Sequence, residues 1–475
     1  MIRDLFNILL PQTNLVLFIF IQLLLGMFIK SDNTKISKFI SLFGIFITIC
    51  LLTTVQIEPQ YFGLRSCIMS DSYTLLFHFV TLLCGFFVVL LTENITSKLK
   101  QNSYIFHSLL LTAIFGAMCV INANDFLTLF VSLELLSFPT YFLIATANGY
   151  LSKEASFKYL ITNAVSSALF LFGVSYIYGI SGTLNFQEIY EIIISIPHTP
   201  LFAFSGIIIV LGLISKLALF PFANWVIDVY KGCESSVLAF LSTIPKLALF
   251  GILCRLLIFP LGRTFELTAV LIIISLVTAL WANTYAIREK NVKAILACST
   301  ATNSSYVLFA ASIISVYNLS TVIFYLICYV IMNITAFSFI NITETNHIEN
   351  KINDYIGLAK KNLLPAFCYT IAIIGLAGFP ITSGFIAKIY LFSAIAHSGL
   401  IFLPFLIGLL ILTVIALYYY LKLIKPLFEN NNYNNKLSTT FSQKLVLCIT
   451  TIITILIGIY PEKIIEICRL IAYNI

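Results

Sequence analysis

Residues 215–250 read SKLALFPFANWVIDVYKGCESSVLAFLSTIPKLALF. The pentapeptide KLALF begins at Lys216 and again at Lys246, and around both lysines the chain is almost entirely apolar. A lysine in such a place either snorkels from a helix end or lies deep in a hydrophobic medium for a reason. The surroundings decide which. Of 475 residues, 60% are hydrophobic and 10% are charged, against about 25% charged in a soluble domain. Apolar runs recur from end to end, separated by short polar breaks. A bilayer core is about 30 Å thick, so a spanning helix needs around 20 mostly apolar residues. Fourteen segments qualify, centred near residues 20, 46, 83, 112, 136, 170, 215, 247, 276, 303, 330, 379, 412 and 452. They are apolar all round rather than striped, which argues against the core of a soluble protein. The chain is predicted to be an all-α polytopic membrane protein, with the lipid bilayer as its first partner.

The longest polar interruptions, near 343–363 and 429–442, are linker-sized and leave no room for a soluble domain. The start, MIRDLFNILLPQTNLVLFIFIQLLLGMF, lacks a small-residue cleavage site and is expected to be a retained first span. Eleven cysteines are scattered without a C-x-x-C pair, as small buried hydrophobes would be. Five isolated histidines offer no metal-ligand spacing. Nothing resembles a Gly-rich phosphate loop or a nucleic-acid platform, so neither cofactor nor nucleic acid is expected on this chain.

The net charge of +7 is a topology signal. With fourteen spans, eighteen Lys and Arg residues fall on loops facing one side and six on the other. That bias places the eighteen in the cytoplasm and both termini outside, in the periplasm if the membrane is the bacterial inner membrane. Three basic residues remain: Lys216, Lys246 and Lys388. Among the acids, Glu134 in FLTLFVSLELLSFPTYFLI sits far from a span end. A charge at mid-membrane costs roughly 2.5–3.5 kcal/mol on insertion scales. Lys216 lies 14 residues before Tyr230, at the inner turn, and Lys246 lies 16 after it. At 1.5 Å per residue both reach a similar depth. A structural ion pair would explain Glu134 with one lysine and leave two lysines over. A row of ionisable groups at one depth reads instead as a charge-transfer path.

Helix breakers accompany these charges. Pro221 follows Lys216 by five residues, Pro245 precedes Lys246, and IGLAGFPITSGFIAKIYLF places Gly375, Gly378, Pro380 and Gly384 before Lys388. Proline removes a backbone hydrogen bond and crowds the preceding turn, so spans 7 and 12 are predicted to be interrupted. Interruptions at depth persist where protein or cavity water satisfies the freed groups. Two of them, five spans apart, imply two inverted five-helix repeats. The expected organisation is a three-helix segment over 1–100, repeats over 101–260 and 261–428, and a C-terminal helix over 429–475.

In order, SLELLSFPTYFL, SKLALFPFANWVIDVYKG, LAFLSTIPKLALF, REKNVKAILACSTATNSSYVL and IGLAGFPITSGFIAKIYLF resemble the motifs of the antiporter-like membrane subunits of proton-pumping NADH-quinone oxidoreductase (respiratory complex I). The resemblance covers roughly residues 100–425. The WxxDVYxG turn at Trp225–Gly232, a lysine rather than a glutamate at Lys388, and the chain length are similar to the subunit N branch. Departures from the family pattern occur at Ala223, Ile227, Cys233 and Glu234, and Asn303 stands where many members carry histidine. An asparagine hydrogen-bonds but carries no proton at neutral pH, so Asn303 is either a structural amide or a water-positioning group.

The resemblance implies that Glu134 and Lys216 form a switchable pair and that Lys246 and Lys388 continue a proton path. Burial favours the neutral form of an amine and a nearby carboxylate favours the charged form, so movement of the acid would load or unload a proton. It also implies that FMN, iron–sulfur clusters, NADH and quinone belong to partner subunits, and that neighbouring antiporter-like subunits are the nearest partners. Two other readings stay open: a subunit of a multi-subunit cation/proton antiporter, and a non-pumping structural membrane subunit of the same complex.

Overall fold

A computed structural model describes residues 2–28, 34–55, 61–63, 66–93, 103–147, 149–195, 199–261, 265–429 and 436–474. Lys30, Arg65, Lys98, Lys100 and Arg263, counted in the charge asymmetry, lie outside the described residues. The helices in order are α1 (Ile2–Phe28), α2 (Thr34–Leu52), α3 (Ser72–Leu91), α4 (Ser103–Asn122), α5 (Phe126–Ala145), α6 (Tyr150–Ser181), α7 (Phe186–Ser195) and α8 (Pro200–Lys216). They continue with α9 (Asn224–Gly232), α10 (Ser235–Leu241), α11 (Ile244–Leu256), α12 (Phe265–Arg288), α13 (Val292–Ser312) and α14 (Val316–Thr345). The last five are α15 (Leu363–Ala377), α16 (Ser383–His397), α17 (Leu403–Phe428), α18 (Phe441–Ile459) and α19 (Glu462–Tyr473). A two-stranded antiparallel hairpin, β1 (Tyr61–Gly63) with β2 (Ile68–Ser70), precedes α3. Neither this hairpin nor α19 was expected from hydropathy.

Among the described residues, twelve helical segments are long and apolar enough to cross a membrane. Two shorter apolar helices, Pro200–Lys216 and Leu363–Ala377, are the first halves of the spans predicted to break. Together they account for the fourteen positions. Where the helices stop follows from proline chemistry. A proline cannot donate to the carbonyl four residues earlier, and its ring crowds that carbonyl. Pro221 denies Leu217, and α8 ends at Lys216; Pro380 denies Leu376, and α15 ends at Ala377. Pro245 denies Leu241, where α10 ends before α11 begins at Ile244. The segment carrying Lys246 has a two-residue turn at Ser242 and Thr243, but Ser235–Leu261 still forms a single apolar span. Pro139, in contrast, lies inside a continuous α5.

The chain forms two compact units. The first holds Met1–Leu217 and Ile244–Leu267, with the last two residues; the second holds Ala218–Thr243 and Thr268–Tyr473. In the first unit α6 packs along α8, α4 packs on α5, α1 and α3, and α11 touches α3, α4 and α8. In the second unit α14 is the central helix, touching α10, α13, α15, α16, α18 and α19. Many of its large apolar side chains are buried, as in Phe324, Phe337 and Phe339. The outward faces of α1, α5, α6 and α17 are apolar and exposed, with Phe20, Phe142, Phe172 and Val414 among them. That is the inside-out distribution a lipid-facing surface requires.

Candidate functional site

In the first unit, close backbone crossings bring Glu134 and Lys216 together. A Cβ on Gly116 of α4 would lie 2.6–2.8 Å from the backbone of Leu135 and Leu136, so only glycine lets α4 reach α5 beside Glu134. Gly173 of α6 and Gly212 of α8 do the same for the second crossing. Their added Cβ atoms would lie 2.9 Å from the carbonyl oxygens of Ser205 and Ser166 respectively. Small residues at such crossings are how membrane helices approach closely.

Lys216, at the last turn of α8, then places Nζ 3.4 Å from Glu134 Oε1 and 3.2 Å from Ser137 Oγ. The lysine side chain is 5% exposed and the glutamate 23%. Ser167 of α6 donates to the same Glu134 Oε1. Ser166 and Ser215 hydrogen-bond to each other alongside. The pair therefore has a hydroxyl on each side, Ser137 for the ammonium and Ser167 for the carboxylate, that can accept or donate when either charge moves. Just beyond it, Ala218 adopts the left-handed region with φ +61°, one sign of the interruption.

Lys246 is buried in the first unit on α11. Nine residues further along the same helix lies a group that hydropathy concealed. Arg255 is one of the six basic residues that the sequence assigns to outer loops, but it is buried. It donates from Nη2 to Asp71 Oδ2 at 2.6 Å and from Nη1 to the Ile121 carbonyl at 3.1 Å. Both partners of this ion pair are 1% exposed. The guanidinium also stacks over the Tyr73 ring, 5.2 Å from its centroid. The sequence signal was the capping motif Asp71-Ser-Tyr-Thr74, which forms a reciprocal capping box at the start of α3.

In the second unit Lys388, on α16, turns back to the end of α15. Nζ donates to the carbonyls of Leu376 and Ala377 at 2.8 and 2.9 Å, and lies 5.5 Å from the Tyr306 ring centroid. These are the carbonyls a helix terminus leaves unpaired, and a cation there meets the negative end of the helix dipole. Gly378 caps α15 with φ +87°, and a Cβ on it would lie 2.8 Å from Lys388 Cδ. Gly384 meets α15 more closely still, its added Cβ falling 1.9 Å from the Gly375 oxygen. Ile381, next to Pro380, has φ +75°, a costly conformation for a β-branched residue. This second interruption is thus closed by glycine contacts and by the lysine itself.

Asn303 on α13 donates to the Ser299 carbonyl at 2.8 Å and to the Tyr420 hydroxyl at 3.1 Å, and accepts from the Tyr325 hydroxyl at 2.7 Å. It ties α13 to α14 and α17. Lys293 and Lys231, two of the eighteen basic residues that the sequence assigns to inner loops, form ion pairs in the second unit. Lys293 pairs with Glu344 and donates to the Cys233 carbonyl at 2.6 Å. Glu344 also accepts from the Ser235 N–H at 3.1 Å, the Ser235 hydroxyl and the Asn350 amide. Lys231 donates to Glu289 at 2.8 Å. For Glu289, in the loop after α12, partial burial raises the carboxyl's pKa, but Lys231 and the N–H groups of Asn291 and Lys290 outweigh it and hold it below the ordinary value.

The fold, with its proline-interrupted spans, is that of the antiporter-like membrane subunits. A subunit of respiratory complex I from Thermus thermophilus overlays with a TM-score of 0.82 at 24% identity, covering 96% of this chain and 98% of that one. A chain of the Mrp complex from Dietzia sp. overlays with a TM-score of 0.86 at 18% identity, covering 100% and 98%. At these identities the two speak to fold alone. The sequence goes further: over residues 123–416 it matches the family described as NADH:quinone oxidoreductase/Mrp antiporter, TM, and the chain belongs to that family. NADH-quinone oxidoreductase subunit N of Desulfitobacterium hafniense is 30% identical over 421 residues, 84% of each chain.

Proposed function

We propose that this chain is a proton-translocating membrane subunit of an NADH:quinone oxidoreductase. The observation that carries the reading is the Glu134–Lys216 pair, 3.4 Å apart, at the end of a helix that stops inside an apolar span. A buried ammonium is stabilised while the carboxylate is near and favours the neutral amine when it withdraws. Ser137 and Ser167 give each group an alternative partner, so the pair has two arrangements without a large rearrangement of backbone. Lys246 and Lys388, each buried in its own unit, extend the route.

Redox chemistry would belong to partner subunits holding NADH, FMN, iron–sulfur clusters and quinone, with neighbouring antiporter-like subunits beside this chain. The excess of basic loop residues supports both termini on the periplasmic side of a bacterial inner membrane. The rival reading, a subunit of a cation/proton antiporter, falls within the same family, whose description names both classes. Purifying the chain from its native membrane separates the two. Co-purification with NADH-oxidising subunits is expected; recovery with antiporter subunits and no NADH oxidation would overturn the proposal.

A further inference from the structure

Helix α3 has one polar face in an otherwise apolar span. Asp71 at its N-cap, Thr74, His78 and Thr81 recur at i, i+3, i+7 and i+10, the spacing of a single helix face, and all four are buried. Ten residues of helix cover about 15 Å, about half of a hydrocarbon core. The face is turned into the first unit. Thr74 N–H and hydroxyl both bond to Asp71, Asp71 bonds to Arg255 of α11, and His78 Nε2 meets the Met118 carbonyl of α4 at 3.1 Å. A carbonyl only accepts, so the neutral ring carries its proton on Nε2 and leaves Nδ1 as the basic nitrogen.

Two further observations point to a path rather than a set of structural bonds. Among the described residues, Thr81 Oγ1 is buried without a hydrogen-bond partner. An unpaired buried polar atom is costly, a cost that a bound water recovers. The second observation is register. Tyr73 donates to the Gly251 carbonyl at 2.8 Å, and a Cβ on Gly251 would lie 3.1 Å from Phe77. At the other end, a Cβ on Gly85 would lie 3.8 Å from Ile244. The two helices therefore run antiparallel, and Lys246, two residues from Ile244, falls level with residues 82–83, just past Thr81.

We propose that this face of α3 is a proton path within the first unit, running between Lys246 and the surface at the N-terminal end of α3, with His78 as the group that takes up and releases the proton. The inference rests on the proton-translocating function proposed above. In the orientation proposed there, this end is periplasmic. The Lys246 ammonium gives one proton through water to His78 Nδ1, forming the imidazolium. The imidazolium releases the same proton from Nδ1 towards the Asp71 end, returning to the Nε2–H tautomer. No bond to carbon changes and no electron moves.

The test uses the intact complex in sealed membrane vesicles, comparing wild type, His78→Gln, Thr81→Val and Lys216→Ala for proton uptake driven by NADH. Glutamine keeps a donor at the reach of Nε2 for the Met118 carbonyl but carries no proton. The expected result is an assembled His78→Gln complex that oxidises NADH with an artificial acceptor at the wild-type rate. Its proton uptake falls to the level of Lys216→Ala. Wild-type uptake in His78→Gln, with uptake lost in Lys216→Ala, overturns the path and leaves the general function standing. Wild-type uptake in both overturns the function as well. If His78→Gln does not assemble, Thr81→Val decides. Removing an unpartnered hydroxyl is neutral or stabilising for a structural role, whereas a path predicts slowed uptake; unchanged uptake in Thr81→Val overturns the proposal.

Discussion

Replacing Glu344 by alanine should loosen the turn between α9 and α10 far more than replacing its partner Lys293. With the carboxylate gone, the Lys293 ammonium, 5% exposed, keeps one neutral partner, the Cys233 carbonyl. The Ser235 N–H at the start of α10 also loses its acceptor. Breaking a buried pair from this side leaves an uncompensated charge, a cost of about 3–5 kcal/mol. With the lysine gone, the carboxylate still accepts from the Ser235 N–H, the Ser235 hydroxyl and Asn350. That loss is closer to one charged hydrogen bond, about 1.5–3 kcal/mol. Hydrogen–deuterium exchange of the α10 amides measures the difference directly, because protection falls tenfold per 1.4 kcal/mol of local opening. Glu344→Ala should lower protection by roughly a hundredfold to several thousandfold, and Lys293→Ala by roughly tenfold to a hundredfold. The double variant should cost less than the sum of the two, as groups in direct contact do. Equal loss in the two single variants, or a larger loss in Lys293→Ala, would refute the reasoning.

Gly384→Ala should prevent accumulation of the assembled subunit, since its Cβ would lie 1.9 Å from the Gly375 oxygen. The obstacle is backbone, so the cost should reach the upper end of overpacking, about 3 kcal/mol. Gly408→Ala, whose Cβ would meet Leu276 at 3.5 Å, should accumulate normally in the same immunoblot. Lys231→Ala should cost no more than about 1 kcal/mol, because its pair with Glu289 is partly solvated. Glu289 is held below its ordinary pKa. Its contribution is therefore complete above the ordinary carboxylate value of about 4.3 and lost as pH falls through the lowered one. Thermal unfolding of wild type and Lys231→Ala should accordingly differ near neutral pH and converge in acid.

Much of the candidate site was legible because a charge inside an apolar run has few explanations. Glu134 and Lys216 stood out on that ground, and the structure places them in contact. The helix ends at Lys216, Leu241 and Ala377 follow from prolines four residues beyond the carbonyls they deny. What hydropathy could not separate was a charge near a span end that faces water from one that is covered. Arg255 and Lys293 both lie close to helix ends, yet α3 and α4 cover the first, while α14 and the turn at Cys233 cover the second. Coverage of that kind arises from tertiary packing and leaves no local periodicity. The polar face of α3 was hidden for a related reason: one histidine and two threonines barely alter the mean hydropathy of a 20-residue span.

The most direct measurement is proton translocation by the assembled complex carrying Glu134→Ala or Lys216→Ala. Both variants should assemble with their partners, retain NADH oxidation with an artificial acceptor, and lose proton pumping together with coupled NADH:quinone turnover. Normal pumping in both assembled variants would contradict the assignment of a proton path to this pair.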